Sequence, residues 1–177
     1  TPLGDCEIDR ALRSELVENS DIFEIDSEAG REEHSLEVQV PFIQYLNPVA
    51  KIVPVTVSSL DEESLISAGK DIAQCLKGKD DILLVASTDM SHYVDADTAN
   101  QEDHKAINKI LNLDPEGLLD TVITDKISMG RVSPTVIMLS AAKGLGAEKA
   151  EIAEYTHSGK VGGDYQQVVA YLSLLVF

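Results

Sequence analysis

The sequence predicts an α/β layered domain with a mainly parallel sheet. Two observations carry this expectation. Short runs rich in aliphatic and β-branched residues alternate with longer stretches of helical periodicity, the pattern of strand–helix units. One run, residues 82–86, is continuously apolar (Ile-Leu-Leu-Val-Ala), as expected of a strand covered on both faces. The chain has 177 residues, enough for one domain with its own core, and residues 1–177 are read as one domain.

Taken in order, residues 9–17 read as a short helix with Ile8, Leu12 and Leu16 on one face. Residues 22–25 read as a short strand. Residues 31–46 read as a helix with Leu36, Val40, Phe42 and Ile43 on its apolar side, and Pro41 inside it either kinks it or resets its start. Residues 51–57 alternate and are rich in β-branched side chains, which predicts a strand. Asp61 caps a helix running to about Leu76, with Gly78 just past its end. Residues 81–87 form the next strand, and residues 98–111 a charged amphipathic helix. Asp114 caps a helix opened by Pro115, and Ser133-Pro134 opens another that ends at Gly144 and Gly146. Residues 150–155 and 168–175 are the last two strands. No helix separates them, so they form a hairpin or an antiparallel edge.

A hydrophobic content of 44% fits a folded globular chain rather than a disordered one. With 14 basic and 31 acidic residues, the formal charge of −17 repels phosphate backbones and argues against nucleic acid as a partner. No apolar run is long enough to span a bilayer, and the polar, acidic start lacks a signal-peptide pattern. Cys6 and Cys75 follow no metal-ligand spacing. Cys75 falls on an apolar helical face and reads as core, and the pair suggests no disulfide framework, so a reducing, cytoplasmic setting is expected.

Chemistry gathers in two places. Asp89 and His92 lie in Ser87-Thr88-Asp89-Met90-Ser91-His92-Tyr93, just beyond the predicted strand 81–87, where open α/β sheets collect ligands. A carboxylate and an imidazole can share a metal or form an acid/base pair, with the Tyr93 phenol beside them. The plainer alternative is a turn cap and a packed histidine. Glu33 and His34 are adjacent on a helix and point in different directions, so they form no two-ligand face; a helix-start carboxylate beside a hydrogen-bonded histidine accounts for them equally. His104, among Glu102, Asp103 and Lys105, is expected to be exposed. His157 lies at a strand end near the Gly162-Gly163 turn. No phosphate loop, dinucleotide fingerprint or nucleophile elbow is present.

Five segments in order resemble one family. They are Thr1-Pro2-Leu3-Gly4, Glu33-His34-Ser35-Leu36-Glu37-Val38-Gln39-Val40-Pro41-Phe42, the segment 87–93, Ile127-Ser128-Met129-Gly130, and His157-Ser158-Gly159 through Gly163-Asp164-Tyr165. The resemblance is to the MEMO family. It implies a three-layer sandwich with a mainly parallel central sheet, similar to the class III extradiol dioxygenases. It also implies a cleft for a redox metal, iron or copper. On this resemblance Asp89 and His92 are metal ligands, Asp89, His92 and Tyr93 carry any catalysis, and Glu33 and His34 lie on the cofactor side. The family's N-terminal histidine segment precedes the Thr-Pro-Leu-Gly motif, so the N-terminal part of the domain is expected to be missing. Iron or copper would then need ligands outside this chain. The family cysteine is replaced: ungapped alignment through Pro134 puts Gly130 there, and a one-residue slip puts Met129 there, a thioether that binds soft copper weakly. Two functions follow as expectations. One is a metal-dependent, dioxygenase-like oxidoreductase cleft; the other is a non-catalytic peptide-binding or scaffold protein on an enzyme-like fold. A small molecule or peptide would occupy the cleft, and a partner, the missing segment or a second copy in a homo-oligomer would cover exposed sheet.

Overall fold

The computed structural model describes residues 1–31, 33–58 and 60–177. Residue 32, inside the predicted helix 31–46, lies outside the described residues. The chain divides into two compact units, Thr1–Leu60 and Asp61–Phe177, and each is taken by itself.

In the first unit, helix α1 (Arg10–Glu18) is capped by Asp9, whose carboxylate accepts the Leu12 N–H at 2.9 Å. The predicted helix 31–46 is two helices, α2 (His34–Glu37) and α3 (Val40–Leu46). Pro41 falls in the first turn of α3. A proline has no N–H to give the previous turn, so it resets the helix start rather than kinking a continuous helix. The predicted strand 51–57 is reduced to one parallel bridge, Ile8 to Ile52, in which the Ile52 N–H donates to the Glu7 carbonyl at 2.9 Å and the Asp9 N–H to the Ile52 carbonyl at 2.9 Å. Residues 22–25 are irregular rather than a strand. Among the described residues the Ile8–Ile52 bridge stays isolated and is not extended into a ladder. Gln44 is buried on α3 and pins the chain start: its amide donates to the Gly4 and Asp5 carbonyls, each at 3.2 Å, and its Oε1 accepts the Thr1 hydroxyl.

The second unit holds α4 (Glu62–Leu76), β1 (His92–Val94), α5 (Ala96–Leu111), α6 (Pro115–Thr124), α7 (Val132–Gly144), β2 (Ala150–His157), α8 (Gly159–Gly162) and β3 (Val168–Val176). Helices α4, α5 and α6 begin where side-chain oxygens meet the orphan amides of the first turn, whereas α7 has no side-chain cap. Asp61 accepts from Ser64, Asp95 from Thr98 and Asp114 from Gly117, at 2.8 to 2.9 Å. Because Asp95 is the cap, α5 starts two residues before the predicted position. Helices α4 and α7 pack closely because Gly69 has no side chain: a Cβ there would lie 2.4 Å from the Ser140 Cβ and 2.6 Å from the Ile137 carbonyl oxygen. Leu65, Ile107, Ile110, Leu118, Val136 and Leu139 are fully buried between the helices, and Cys75 is buried with them as expected.

The sheet is three-stranded and antiparallel, in the order β1-β3-β2. The antiparallel pairing of the last two predicted strands is borne out, but the four-residue helix α8 separates them, where no helix was expected. A mainly parallel sheet is not what the described residues form. The predicted strand 81–87 is extended, but among the described residues no backbone hydrogen bond involves 82–86. Nor is it covered on both faces: Leu83 is 81% and Val85 48% exposed. Continuous apolarity signalled a strand with two covered faces and two neighbours, and the described residues supply neither. The strand that does pair, β1, begins just beyond it at His92. No helix is long and apolar enough to cross a membrane among the described residues.

Candidate functional site

The segment 89–94 is held by backbone bonds on two sides. The Met90 N–H donates to the Ala170 carbonyl and the Ala170 N–H to the Ser91 carbonyl, both at 2.9 Å, which ties it to β3. On the other side Ser91 bridges Met129, the His92 N–H donates to the Ser128 carbonyl at 3.2 Å, and the Ser128 hydroxyl donates to the His92 carbonyl at 3.1 Å.

This fixes the imidazole. His92 Nδ1 lies 3.1 Å from the Ser128 carbonyl oxygen, and Nε2 lies 3.1 Å from Asp89 Oδ2. A carbonyl oxygen only accepts, so Nδ1 carries the hydrogen of that contact. An ionised carboxylate also only accepts, so the Nε2 contact to Asp89 needs a hydrogen between the two atoms, whose place a metal would take. Sequence spacing brought these two residues into reach, and the structure joins them directly. Tyr93 follows with φ of 56°, in the left-handed region that costs a tyrosine about 1 kcal/mol or more. Its ring is 76% exposed and stands 5.8 Å from the imidazole, tilted by 51°. The phenol therefore flanks the pair from the solvent side.

Gly130 faces the same imidazole. Its N–H donates to the Asp89 carbonyl at 3.2 Å, and a Cβ there would lie 3.1 Å from His92 Cε1 and 3.4 Å from the Thr88 hydroxyl oxygen. Position 130 is thus the one whose side chain would enter the site, while Met129 is buried in its bridge to Ser91.

His157 ends β2, where its Cα partner on β3 is Ala170; the partner of His92 is Val169. The two histidines flank the start of β3 from either side. The His157 ring meets Tyr165 edge-on at 5.4 Å, and its Nδ1 is buried without a hydrogen-bond partner among the described residues. Gly159 lets the turn close over it, because a Cβ there would come 2.6 Å from the Asp164 carbonyl oxygen and 2.9 Å from His157 Nδ1. The Tyr165 carbonyl accepts the Ala96 N–H at 3.0 Å. Segments 87–93, 127–130 and 157–165, far apart in sequence, therefore meet around the N-terminal end of β3.

Glu33 and His34 lie in the first unit. Glu33 caps α2 by accepting the Ser35 N–H at 2.9 Å, and His34 is exposed at the first helical position. His104 is exposed, as expected, with Nδ1 2.7 Å from the Asn100 carbonyl oxygen.

Asp103 was missed from the sequence. It is fully buried on α5, in the stripe formed by Ala99, Ala106, Ile107 and Ile110. Its Oδ1 accepts the Ser91 N–H at 3.0 Å and its Oδ2 accepts the Tyr155 hydroxyl at 2.7 Å. Burial, then the bond to Asp103, hold the Tyr155 phenol well above the ordinary tyrosine range. A carboxylate at the centre of an apolar stripe was the available signal, hidden by the charged residues on either side of it.

A family model for Memo-like proteins matches residues 1–175. The chain belongs to the MEMO family. It is 39% identical over 181 residues to a MEMO1 family protein of Methanococcus maripaludis strain C6, covering 99% of this chain and 64% of that protein. A MEMO1 family protein of Methanosarcina barkeri strain Fusaro is 38% identical over 178 residues, covering 99% and 66%. One from Aquifex aeolicus strain VF5 is 39% identical over 176 residues, covering 99% and 65%. This MEMO-family chain spans just under two thirds of the length of these relatives.

The iron or copper implied by the family resemblance can be tested against the donors present. Two ligands bound to one ion at about 2.0–2.2 Å and at right angles sit roughly 3 Å apart, and His92 Nε2 and Asp89 Oδ2 are 3.1 Å apart. The Nδ1–H bond to a carbonyl is the support that metal-binding histidines commonly have. However, no group of three or more metal-ligating side chains occurs among the described residues. The pair fits two coordination positions and does not complete a set.

Proposed function

We propose that this chain supplies Asp89 and His92 as two ligands of an iron or copper centre in a dioxygenase-like cleft, with the remaining ligands coming from outside the described residues. The observation that carries the reading is the 3.1 Å approach of His92 Nε2 to Asp89 Oδ2, with Nδ1 held by Ser128. A bound metal of this kind would supply Lewis-acid and one-electron chemistry. The chain's own residues orient it: Ser128 sets the imidazole tautomer, and Tyr93 presents an exposed phenol to whatever enters. The set is incomplete, so no reaction step is assigned. The same reading places the protein in the cytoplasm, away from nucleic acid. It also treats residues 82–86 as a strand of a three-layer sandwich whose neighbours are not among the described residues.

Calorimetric titration of Cu(II), and of Fe(II) without oxygen, tests it. The expected result is one modest site that is at least tenfold weaker in His92→Ala, with a melting temperature raised by metal only when His92 is present. Equal binding by the wild type and by both His92→Ala and Asp89→Asn would remove the proposal.

A second reading has its own observation. Residues 82–86 are extended, apolar and free of backbone hydrogen bonds among the described residues, a template to which an extended peptide can add as a strand. This favours a peptide-binding or scaffold role. Hydrogen exchange separates the two readings: peptide addition would protect amides 82–86, whereas metal would protect 89–93 and 127–130.

A further inference from the structure

Asp103 is out of place by every local rule. Ala99, Ala106, Ile107 and Ile110 share its face of α5 and are buried apolar residues, yet Asp103 itself is 0% exposed. A buried carboxylate is costly unless it is paired, and among the described residues no salt bridge reaches it. Its oxygens accept two hydrogen bonds instead, from Ser91 N–H and the Tyr155 hydroxyl. Leucine would suit the stripe better if only packing were needed.

Its position explains the exception. Ser91, 1% exposed, is the residue immediately before His92 and two after Asp89. The Ser91 carbonyl is held by Ala170 of β3, and its amide is held by Asp103. The peptide planes on either side of Ser91 are thereby fixed, and with them the direction in which the Asp89 and His92 side chains leave the backbone. Tyr155 on β2 donates to the far oxygen of the carboxylate, so the second oxygen is satisfied separately from the one that holds the Ser91 amide. A charge-assisted bond of this kind is stronger than a neutral one.

We propose that Asp103 is a positioning residue: through the Ser91 amide, its buried carboxylate sets the geometry in which Asp89 and His92 meet. This rests on reading Asp89–His92 as the ligand pair of the site. Asp103 touches neither ligand and no reacting atom.

The test uses two readouts on the full chain: the ring N–H resonance of His92 in a nitrogen-15 spectrum, assigned by its disappearance in His92→Ala, and Cu(II) affinity. Asp103→Ala withdraws the acceptor from Ser91. Asp103→Leu does the same while filling the stripe, should the alanine variant fail to fold. Both are expected to lose or broaden the His92 ring N–H signal and to bind Cu(II) at least tenfold more weakly. Asp103→Asn keeps an acceptor toward Ser91 and is expected to retain the signal and stay within about threefold of wild-type affinity. Tyr155→Phe removes one hydrogen bond from the buried carboxylate but leaves the Ser91 bond. It is expected to lower the melting temperature while the His92 signal persists. A merely structural role would move the His92 signal in Tyr155→Phe as much as in Asp103→Leu, and that result overturns the proposal. So does an unchanged His92 signal in a folded Asp103→Ala or Asp103→Leu variant. The ring signal needs no metal. If the wild type binds Cu(II) no better than His92→Ala, the metal reading fails, while the resonance still decides the role of Asp103.

Discussion

The two units of this chain are built on different physics. Among the described residues, Leu16 is the single buried apolar side chain of Thr1–Leu60, whereas Asp61–Phe177 buries the helical core around Leu65, Leu118, Val136 and Leu139. The first unit instead exposes Phe42, Tyr45, Leu46 and Val49, on and just after α3. Its order rests on polar devices: the Asp9 and Glu33 caps, the Gln44 clamp on the chain start and one parallel bridge. Hydrogen bonds of this kind contribute only about 1 kcal/mol each once exchange with water is counted, while a fully buried leucine contributes roughly 2 to 3 kcal/mol. A region with many caps and little core takes its shape from local chemistry and little stability from itself.

The largest consequence concerns autonomy. Residues 61–177 produced alone are expected to melt cooperatively and keep their helical circular dichroism, while residues 1–60 alone should show no cooperative transition. In the intact chain, amides of α1 and α3 should exchange orders of magnitude faster than those of α4 and α7. A cooperative transition in isolated 1–60 would break the comparison.

A smaller effect tests whether the candidate site belongs to the second unit alone. Gly130 does not occupy the left-handed region, and a Cβ there would approach His92 Cε1 at 3.1 Å, close enough that the ring must yield by a few tenths of an ångström. Gly130→Cys would place a thiol beside the imidazole and is expected to raise Cu(II) affinity at least tenfold, in the intact chain and in residues 61–177 alike. Gly130→Ala crowds the ring without adding a donor and should weaken binding or leave it unchanged. An increase equally large in the alanine variant would show that the donor atom is irrelevant.

What could be read in advance divides along the same physical line. The helix starts at Asp61 and Asp114 were legible because caps are local, whereas α5 was read two residues late and 31–46 as one helix instead of two. Asp61 needs only Ser64 three residues on, and Asp114 with Pro115 needs only Gly117. Of the strands, the neighbouring pair 150–155 and 168–175 was legible, whereas 22–25, 51–57 and 81–87 were not, because their pairing is non-local. Residues 82–86 had the composition of a covered strand, but composition cannot say whether a neighbour is present. The spacing of Asp89 and His92 allowed their contact but left a turn cap and a packed histidine equally open, and the ring orientation that decides it is set by Ser128, 36 residues away. Asp103 was read as one more charge beside Glu102, His104 and Lys105. Only the fold shows that it faces inward, toward a loop twelve residues back.

The smallest effect is a pH dependence at the helix caps of the second unit. The Gly117 backbone amide, and after it Lys109, hold the Asp114 carboxyl below the ordinary value of 3.8. The Thr98 and Ser64 amides do the same for Asp95 and Asp61. A carboxyl whose folded value is depressed binds its proton less readily when folded than when unfolded. Its contribution is therefore complete above the unfolded value and is lost as pH falls through the folded one. Melting temperature should hold from neutrality to about pH 5 and then decline. Asp114→Asn keeps an oxygen that can accept from Gly117 and removes the titration, so its curve should fall less steeply between about pH 5 and about pH 3. Superimposable slopes would mean that the cap bond survives protonation of Asp114 and that acid sensitivity arises elsewhere in the chain.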